Sequence, residues 1–268
     1  MTVSIQSSFA FRLQEPTDVL LQFEAAAIPE QEIVRCETTL SPAEHLARVG
    51  AQDNIGQRIW IRATGEFEVG YRATVKPRRL LARLDELERL PPHRLPGHTV
   101  PYLFDSRYCA ADKFQSFVQA EWGHLDGGAR IVAMRDWIAE NFTYQAGTSD
   151  ATTGASDSFI QRCGICRDFA HVMIALTRAS AIPARYVACY DPGVNPPDFH
   201  AVAEVFLADP TIPGGGAWHL VDATRMADPA QTVKIGVGRD AADVSFMTSF
   251  GNAEFLRSRV EVRQGGDE

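Results

Sequence analysis

Short runs of alternating apolar and polar residues fill the first ninety or so positions. VSIQSSFAFRL, DVLLQFEAAA and EIVRCETTL carry β-branched and aromatic residues with partial alternation, and IWIRAT and FEVGYRATV follow, separated by a Gly-Glu turn signal. Four to six strands with no convincing helix predict an antiparallel β-sandwich. SPAEHLARVGA reads either as one helical turn or as a loop with a strand. LLARLDELERL has helical spacing but stops at a double proline, and Pro91, Pro92 and Pro96 mark a boundary. We place a linker near residues 85–100 and divide the chain into residues 1–95, the β-domain, and residues 96–268.

The second part alternates helix and strand. KFQSFVQAEW and GGARIVAMRDWIAENF predict amphipathic helices, with Ile131, Met134, Ile138 and Phe142 at helical spacing. A Ser/Thr/Gly/Asp-rich loop, TYQAGTSDATTGASDS, follows and could border a cleft. The middle of FIQRCGICRDFAHVMIALTRASAIPARY is almost continuously apolar, as expected of a buried helix, and Pro183 ends it. ARYVACY, FHAVAEVFL and AWHLVDAT predict three strands joined by Pro/Gly-rich loops. The fold class is therefore α+β.

Composition narrows the functions. Apolar residues make up 45% and charged residues 22%, an ordinary globular balance. A net charge of -8 argues against nucleic-acid binding, which needs a basic face. No apolar run approaches the roughly 18 residues of a membrane span, and the first residues lack the basic-then-apolar pattern of a signal peptide. The five cysteines, Cys36, Cys109, Cys163, Cys166 and Cys189, are an odd number and do not suggest a disulfide framework. A reducing cytoplasm is the expected location.

Cys166 opens the buried helix just after Gly164. A helix N-terminus leaves N–H groups unpaired and carries partial positive charge, which stabilises a thiolate and can bind an oxyanion. Taken alone, such a cysteine is more often a small buried hydrophobe. Two downstream strands change that weighting. His200 opens HAVAEVFL and Asp222 lies in WHLVDAT. A histidine can take the thiol proton while a carboxylate on its far nitrogen fixes the tautomer, and neighbouring strands lie about 4.8 Å apart. Individually, each is as readily a structural residue, and Asp222 could simply begin a turn with Ala223 and Thr224.

GICRDFAHVMIALTRASAIPARYV, FHAVAEVFL and WHLVDAT together resemble the three motif blocks of the bacterial transglutaminase-like superfamily, which shares the papain-like core of cysteine proteases. The resemblance covers roughly residues 100–250, including GRDAADVSF. It implies that residues 96–268 are a catalytic domain in which a central helix bearing cysteine packs on an antiparallel sheet, and it assigns a catalytic triad to Cys166, His200 and Asp222. The β-domain is similar to the one that precedes this core in many bacterial members. The implied reaction is acyl transfer or hydrolysis at an amide bond of a peptide or protein through a thioester, as in a cysteine protease, an amidase or a transglutaminase. An amine acceptor is a further implied partner, and no metal or organic cofactor is required. One departure is Val202, where many relatives carry tryptophan two residues after the histidine.

Other residues near these blocks have competing readings. Cys163 could line the cleft or act as a redox partner of Cys166. Gln161 is a candidate oxyanion donor by analogy with the glutamine of papain-like enzymes. Glu204, four residues after His200, shares its sheet face in a regular strand and is either a cleft residue or a solvated glutamate. A zinc site from Cys163, Cys166, His171 and His200 is disfavoured, because His171 lies about 140° round the helix from Cys166. Asp168 reads as a helix-capping charge. The rival function is a catalytically silent protein that keeps this fold and binds through the cleft.

Overall fold

In a computed structural model that describes residues 1–79, 81–209, 211–212 and 215–266, the early alternation becomes four strands. They are β1 (Thr2–Leu21), β2 (Gln31–Leu40), β3 (His45–Gly50) and β4 (Gln57–Pro77). In β1 the residues Val3, Ile5, Ser7 and Phe9 turn inward while Ser4, Gln6 and Ser8 face solvent, the period of two that a half-buried strand requires. The ambiguous segment after Ser41 resolves as strand because β4 offers it an open edge, with Leu46 opposite Ile61 and Ala47 opposite Trp60.

The Gly-Glu signal does not reverse the chain. β4 runs on through Gly65, whose positive φ of 82° bends the strand where β1 is also irregular, between Leu13 and Thr17. Pro16 lies in that gap and has no N–H to give to a ladder. Both long strands therefore bend at the same level, and their inner faces share one core.

LLARLDELERL departs from its helical spacing. Among its described residues only Leu84–Glu86 forms a 3-10 turn, because the segment lies across the start of the second of two helices, α1 (Gln115–Trp122) and α2 (Gly127–Asn141). A side chain at Gly128 would collide with the Leu84 carbonyl, and the Gly128 N–H donates to the Leu87 carbonyl at 2.7 Å. Two short strands, β5 (Thr143–Tyr144) and β6 (Cys163–Gly164), pair in parallel around α3 (Ala155–Gln161). Then come α4 (Cys166–Ala179), β7 (Ala184–Tyr190), β8 (His200–Ala208), β9 (Gly216–Val221) and β10 (Val233–Gly238). These strands make an antiparallel sheet in the order β10-β7-β8-β9. The buried α4 packs on it, and Val172, Ala175 and Leu176 share one core with Ala201, Ala203 and Val205.

The last strands, β11 (Met247–Ser249) and β12 (Ala253–Gly265), return to the first sheet and pair with β1. That sheet thus has six antiparallel strands. A boundary at residue 95 separates β4 from α1 but leaves β11 and β12 hydrogen-bonded to β1. Among the described residues, no helix is long and apolar enough to cross a membrane.

The two sheets meet through both apolar and charged groups. Tyr190, Val233 and Ile235 enter the core of the first sheet, and the Tyr190 hydroxyl donates to the Phe23 carbonyl at 2.7 Å. Beside them lies a chain of charges whose centre, Arg185, Glu204 and Lys234, is buried. Glu204 on β8 accepts from Arg185 on β7 at 2.7 Å and also bonds Lys234 on β10. Arg185 reaches Asp53 at 3.0 Å, and Lys234 reaches Glu30 at 2.7 Å. Burial alone would raise the Glu204 pKa, but the two cations outweigh it and hold the carboxyl below its usual range.

Removing one charge from such a group leaves its partners uncompensated. Glu204→Gln is expected to lower unfolding stability by about 3–5 kcal/mol, read as a fall in the urea midpoint. A midpoint unchanged from the parent chain would show that the network contributes nothing to the fold.

Candidate active site

The G-I-C-R-D segment starts a helix for local reasons. Ile165 is extended (φ -106°, ψ -179°), and its N–H donates to the Asp168 carboxylate at 2.9 Å. This is the return half of a capping arrangement, in which the third helical residue satisfies the N–H before the helix. Asp168 is fully buried as it does so. Gly164 makes room, since a Cβ there would come within 2.6 Å of the Asp168 Cβ. Cys166 is thus the first residue of α4, with its side chain at the helix end.

His200 is the first residue of β8, opposite Cys189 of β7. Asp222 directly follows β9, which pairs with β8 on its other side. The His200 Nε2 lies 3.0 Å from Asp222 Oδ2, and both side chains are buried. His200 Nδ1 is buried without a partner at ordinary hydrogen-bond length among the described residues. With Nε2 engaged by Asp222, Nδ1 is the ring atom left for the Cys166 thiol, which lies close enough to bear on the charge of the ring. Catalytic hydrogen bonds in a resting site are often long and tighten around substrate.

The electrostatics follow from these neighbours. Burial works against the imidazolium, but Asp222 and Cys166 outweigh it and raise the His200 pKa to about 10. Burial also works against the Asp222 carboxylate, yet its hydrogen bonds to His200 and to N–H groups lower its pKa below the ordinary value. Asp222 Oδ1 accepts from the Thr224 N–H at 2.8 Å, and Oδ2 accepts from the Ala227 N–H at 2.8 Å and the Met226 N–H at 3.1 Å. The Thr224 hydroxyl donates to the same carboxylate at 2.7 Å. The turn reading and the partner-of-histidine reading of Asp222 are therefore both correct, and the turn is what aims the carboxylate.

The remaining candidates are placed elsewhere. Glu204 does not line a cleft and is not solvated: it is the fully buried centre of the charge network between the sheets. Cys163 is half-buried on β6. Extended backbone from Cys163 through Ile165 holds its α-carbon about 10 Å from that of Cys166, beyond the roughly 7 Å that a disulfide spans. A redox pairing with Cys166 therefore does not fit this backbone. Gln161 is exposed at the end of α3. His171 sits in the core, with its Nε2 accepting from the Ala241 N–H at 3.2 Å and its ring stacked on Tyr108. Among the described residues, no group of three or more His, Cys, Asp or Glu side chains is arranged to hold a metal.

Two residues escaped the reading of the sequence. Thr224 was visible only as part of a turn signal. Tyr144, on β5, pairs with Gly164 two residues before Cys166, and its ring packs on Phe169 at 5.9 Å. A lone tyrosine between a helix and a polar loop carries no pattern that would have singled it out.

Comparison with known proteins agrees with this architecture. Residues 117–223 match the family model of the transglutaminase-like superfamily. An uncharacterized protein of Mycobacterium tuberculosis is 36% identical over 118 residues, 40% of this chain and 37% of the relative. One from Mycobacterium leprae is 29% identical over 125 residues, 43% of this chain and 42% of the relative. The match thus spans well under half the length of these curated relatives. A solved structure from Cytophaga hutchinsonii, described as a "putative cysteine protease", is 34% identical with a TM-score of 0.89, over 100% of this chain and 92% of that one. With both the core and the preceding β-domain matched, the chain belongs to the transglutaminase-like superfamily.

Proposed function

We propose that the chain is a cysteine-dependent enzyme acting at an amide bond of a peptide or protein, with Cys166 as nucleophile, His200 as proton carrier and Asp222 as the residue that orients His200. The observation that carries this reading is His200 itself. It is buried between a thiol and a carboxylate, and its neighbours favour the protonated ring. A buried imidazolium facing a cysteine at a helix N-terminus is the arrangement needed for an ion-paired thiolate. The likeness to the Cytophaga hutchinsonii structure supports the same class of chemistry.

In this reading Cys166 Sγ attacks the carbonyl carbon, and the C=O π pair moves onto oxygen. Collapse breaks the C–N bond, the amine leaves with the proton from His200, and a thioester remains. Water or an amine then attacks the thioester, His200 takes the proton of that incoming group, and collapse breaks the C–S bond, releasing the acid or new amide and returning the Cys166 thiolate beside protonated His200. Hydrolysis and transamidation share every step up to the thioester. We assign hydrolysis as the default outcome, because water is the acceptor present everywhere.

Labelling tests the nucleophile. Iodoacetamide at pH 6 is expected to modify Cys166 at least about tenfold faster than Cys36, Cys109, Cys163 or Cys189, because only a thiolate reacts. Incubation with a peptide library should give an acyl adduct by intact mass that Cys166→Ala abolishes. Equal labelling of all five cysteines, with no adduct, would leave the fold as a binding scaffold.

A pH profile tests the proton carrier. The His200 proton is needed to expel the amine, so kcat/KM is expected to fall as pH rises through about 10. Asp222→Asn removes the strongest influence raising that value. Its alkaline limb should move down toward the ordinary histidine value of about 6.5. A limb unmoved by the substitution would separate Asp222 from the titration of His200.

A further inference from the structure

Resting on that reading, we propose that Phe199, Phe246 and Phe255 form a subsite for an apolar side chain of the substrate, on the amine side of the scissile bond. The three rings make one row. Phe199 and Phe246 stack at a centroid distance of 4.9 Å with planes 5° apart, and Phe246 meets Phe255 edge-on at 5.7 Å. The row rests on the core of the first sheet. Phe9 lies 6.2 Å from Phe199 and 5.5 Å from Phe246, and Tyr190 lies 5.4 Å from Phe199. Phe9 and Tyr190 are buried, Phe199 and Phe246 are half-buried, and Phe255 is 47% exposed. The row therefore opens from a buried base toward solvent.

The occupant follows from where the proton goes. His200 gives its proton to the departing amine, so the amine side of the substrate lies at His200 while the acyl side stays on Cys166. Phe199 directly precedes His200, which puts the first ring one residue from the proton carrier. From there the row runs no further than about three extended residues, so the first residues beyond the scissile nitrogen can reach it. A single exposed phenylalanine needs no explanation, but a row of aromatic faces that begins beside the proton carrier does. Such faces suit an apolar or aromatic side chain. Phe246 comes just before β11 and Phe255 lies on β12, opposite Phe11 of β1. The end of the chain, returning to the first sheet, thus builds two thirds of the row and gives that sheet a part in choosing substrate.

Capture of an acyl group by amines tests this, because aminolysis is amide cleavage run backwards and the attacking amine sits where the leaving amine sat. Cys166 is loaded with an acetyl group from p-nitrophenyl acetate. Phenylalaninamide or glycinamide then attacks the thioester carbonyl, His200 takes the amine proton, and the C–S bond breaks to give the N-acetyl amide and the Cys166 thiolate. In a mixture of both amides, the product ratio does not depend on how fast the acetyl group is loaded. Phenylalaninamide is expected to win by about tenfold or more. Phe255→Ala should cut that preference by about threefold or more, whereas Phe255→Leu, which keeps apolar surface, should retain most of it. Phe250→Ala removes an exposed ring that packs on Trp60, outside the row, and should leave the ratio unchanged. No preference in the parent chain would overturn the proposal, as would a preference that Phe255→Ala leaves intact. Slower capture of both amides alike by that variant would mark a structural role and overturn it too. So would a changed oligomeric state at an unchanged ratio, which would assign the row to a contact between copies. An acetyl-enzyme that is hydrolysed but captured by neither amide would overturn the subsite and spare the nucleophile. A Cys166 that is neither acetylated nor alkylated selectively would overturn the underlying reading, and the subsite with it.

Discussion

Glu204 is a carboxylate with no access to water, and the architecture around it is what makes that tolerable. Arg185 and Lys234 come from the strands β7 and β10, and Glu30 and Asp53, from the turns before β2 and before β4, complete the chain of charges. Desolvating ions costs several kcal/mol each, and only close pairing and further hydrogen bonds offset it. Such a network tolerates little slippage, because a one-residue shift of β8 would send Glu204 to the other face of its sheet. The register that satisfies Glu204 is the same register that starts β8 at His200 and brings Asp222 alongside. It also ties the N-terminal segments to the sheet that carries His200. The first sheet is therefore part of what holds the site in place, and its own edge is finished by β11 and β12 from the end of the chain.

The two buried histidines show how strongly neighbours decide chemistry in this core. His171 is fully buried, and burial, with Arg167 and Arg178 adding to it, drives its pKa down to about 3. His200 is nearly as buried, yet Asp222 and Cys166 raise its pKa to about 10. Desolvation is common to both and would neutralise either ring. What differs is a carboxylate held in place by the Thr224, Met226 and Ala227 N–H groups. The post-β9 turn thus shapes the charge of His200 as much as the ring's own burial does.

Much of this was legible before any coordinates. Period-two alternation marked β1 and β4, and a continuous apolar run marked α4. The order Cys166, His200, Asp222 on a helix and two strands predicted side chains that could meet, and the fold brings them together. The failures have physical causes. Gly65 looked like a turn because glycine and a polar neighbour signal reversal, but paired with the irregularity at Pro16 it bends a long strand instead. LLARLDELERL has the spacing of a helix, but Gly127 and Gly128 let residues 84–89 cross the start of α2 closely, with only a 3-10 turn at Leu84–Glu86. Glu204 looked solvated because its partners lie 19 and 30 residues away along the chain, and the return of β12 to β1 has a still longer range. Pairings of that kind leave no local pattern.

Gly164 and Ile165 show how one stretch of backbone can settle several questions at once. Because Ile165 is extended, its N–H reaches back to Asp168, and α4 can begin at Cys166 and no earlier. Because Gly164 lacks a Cβ, Asp168 can occupy the space that this cap requires. The same extension carries Cys163 away from Cys166, and both are free thiols. It also aligns Gly164 with Tyr144, whose ring packs on Phe169. A helical or turn conformation at these two residues would undo the cap, the separation of the thiols and the placement of Tyr144 together. The chemistry of Cys166 is in this sense a property of the two residues before it as much as of its own side chain.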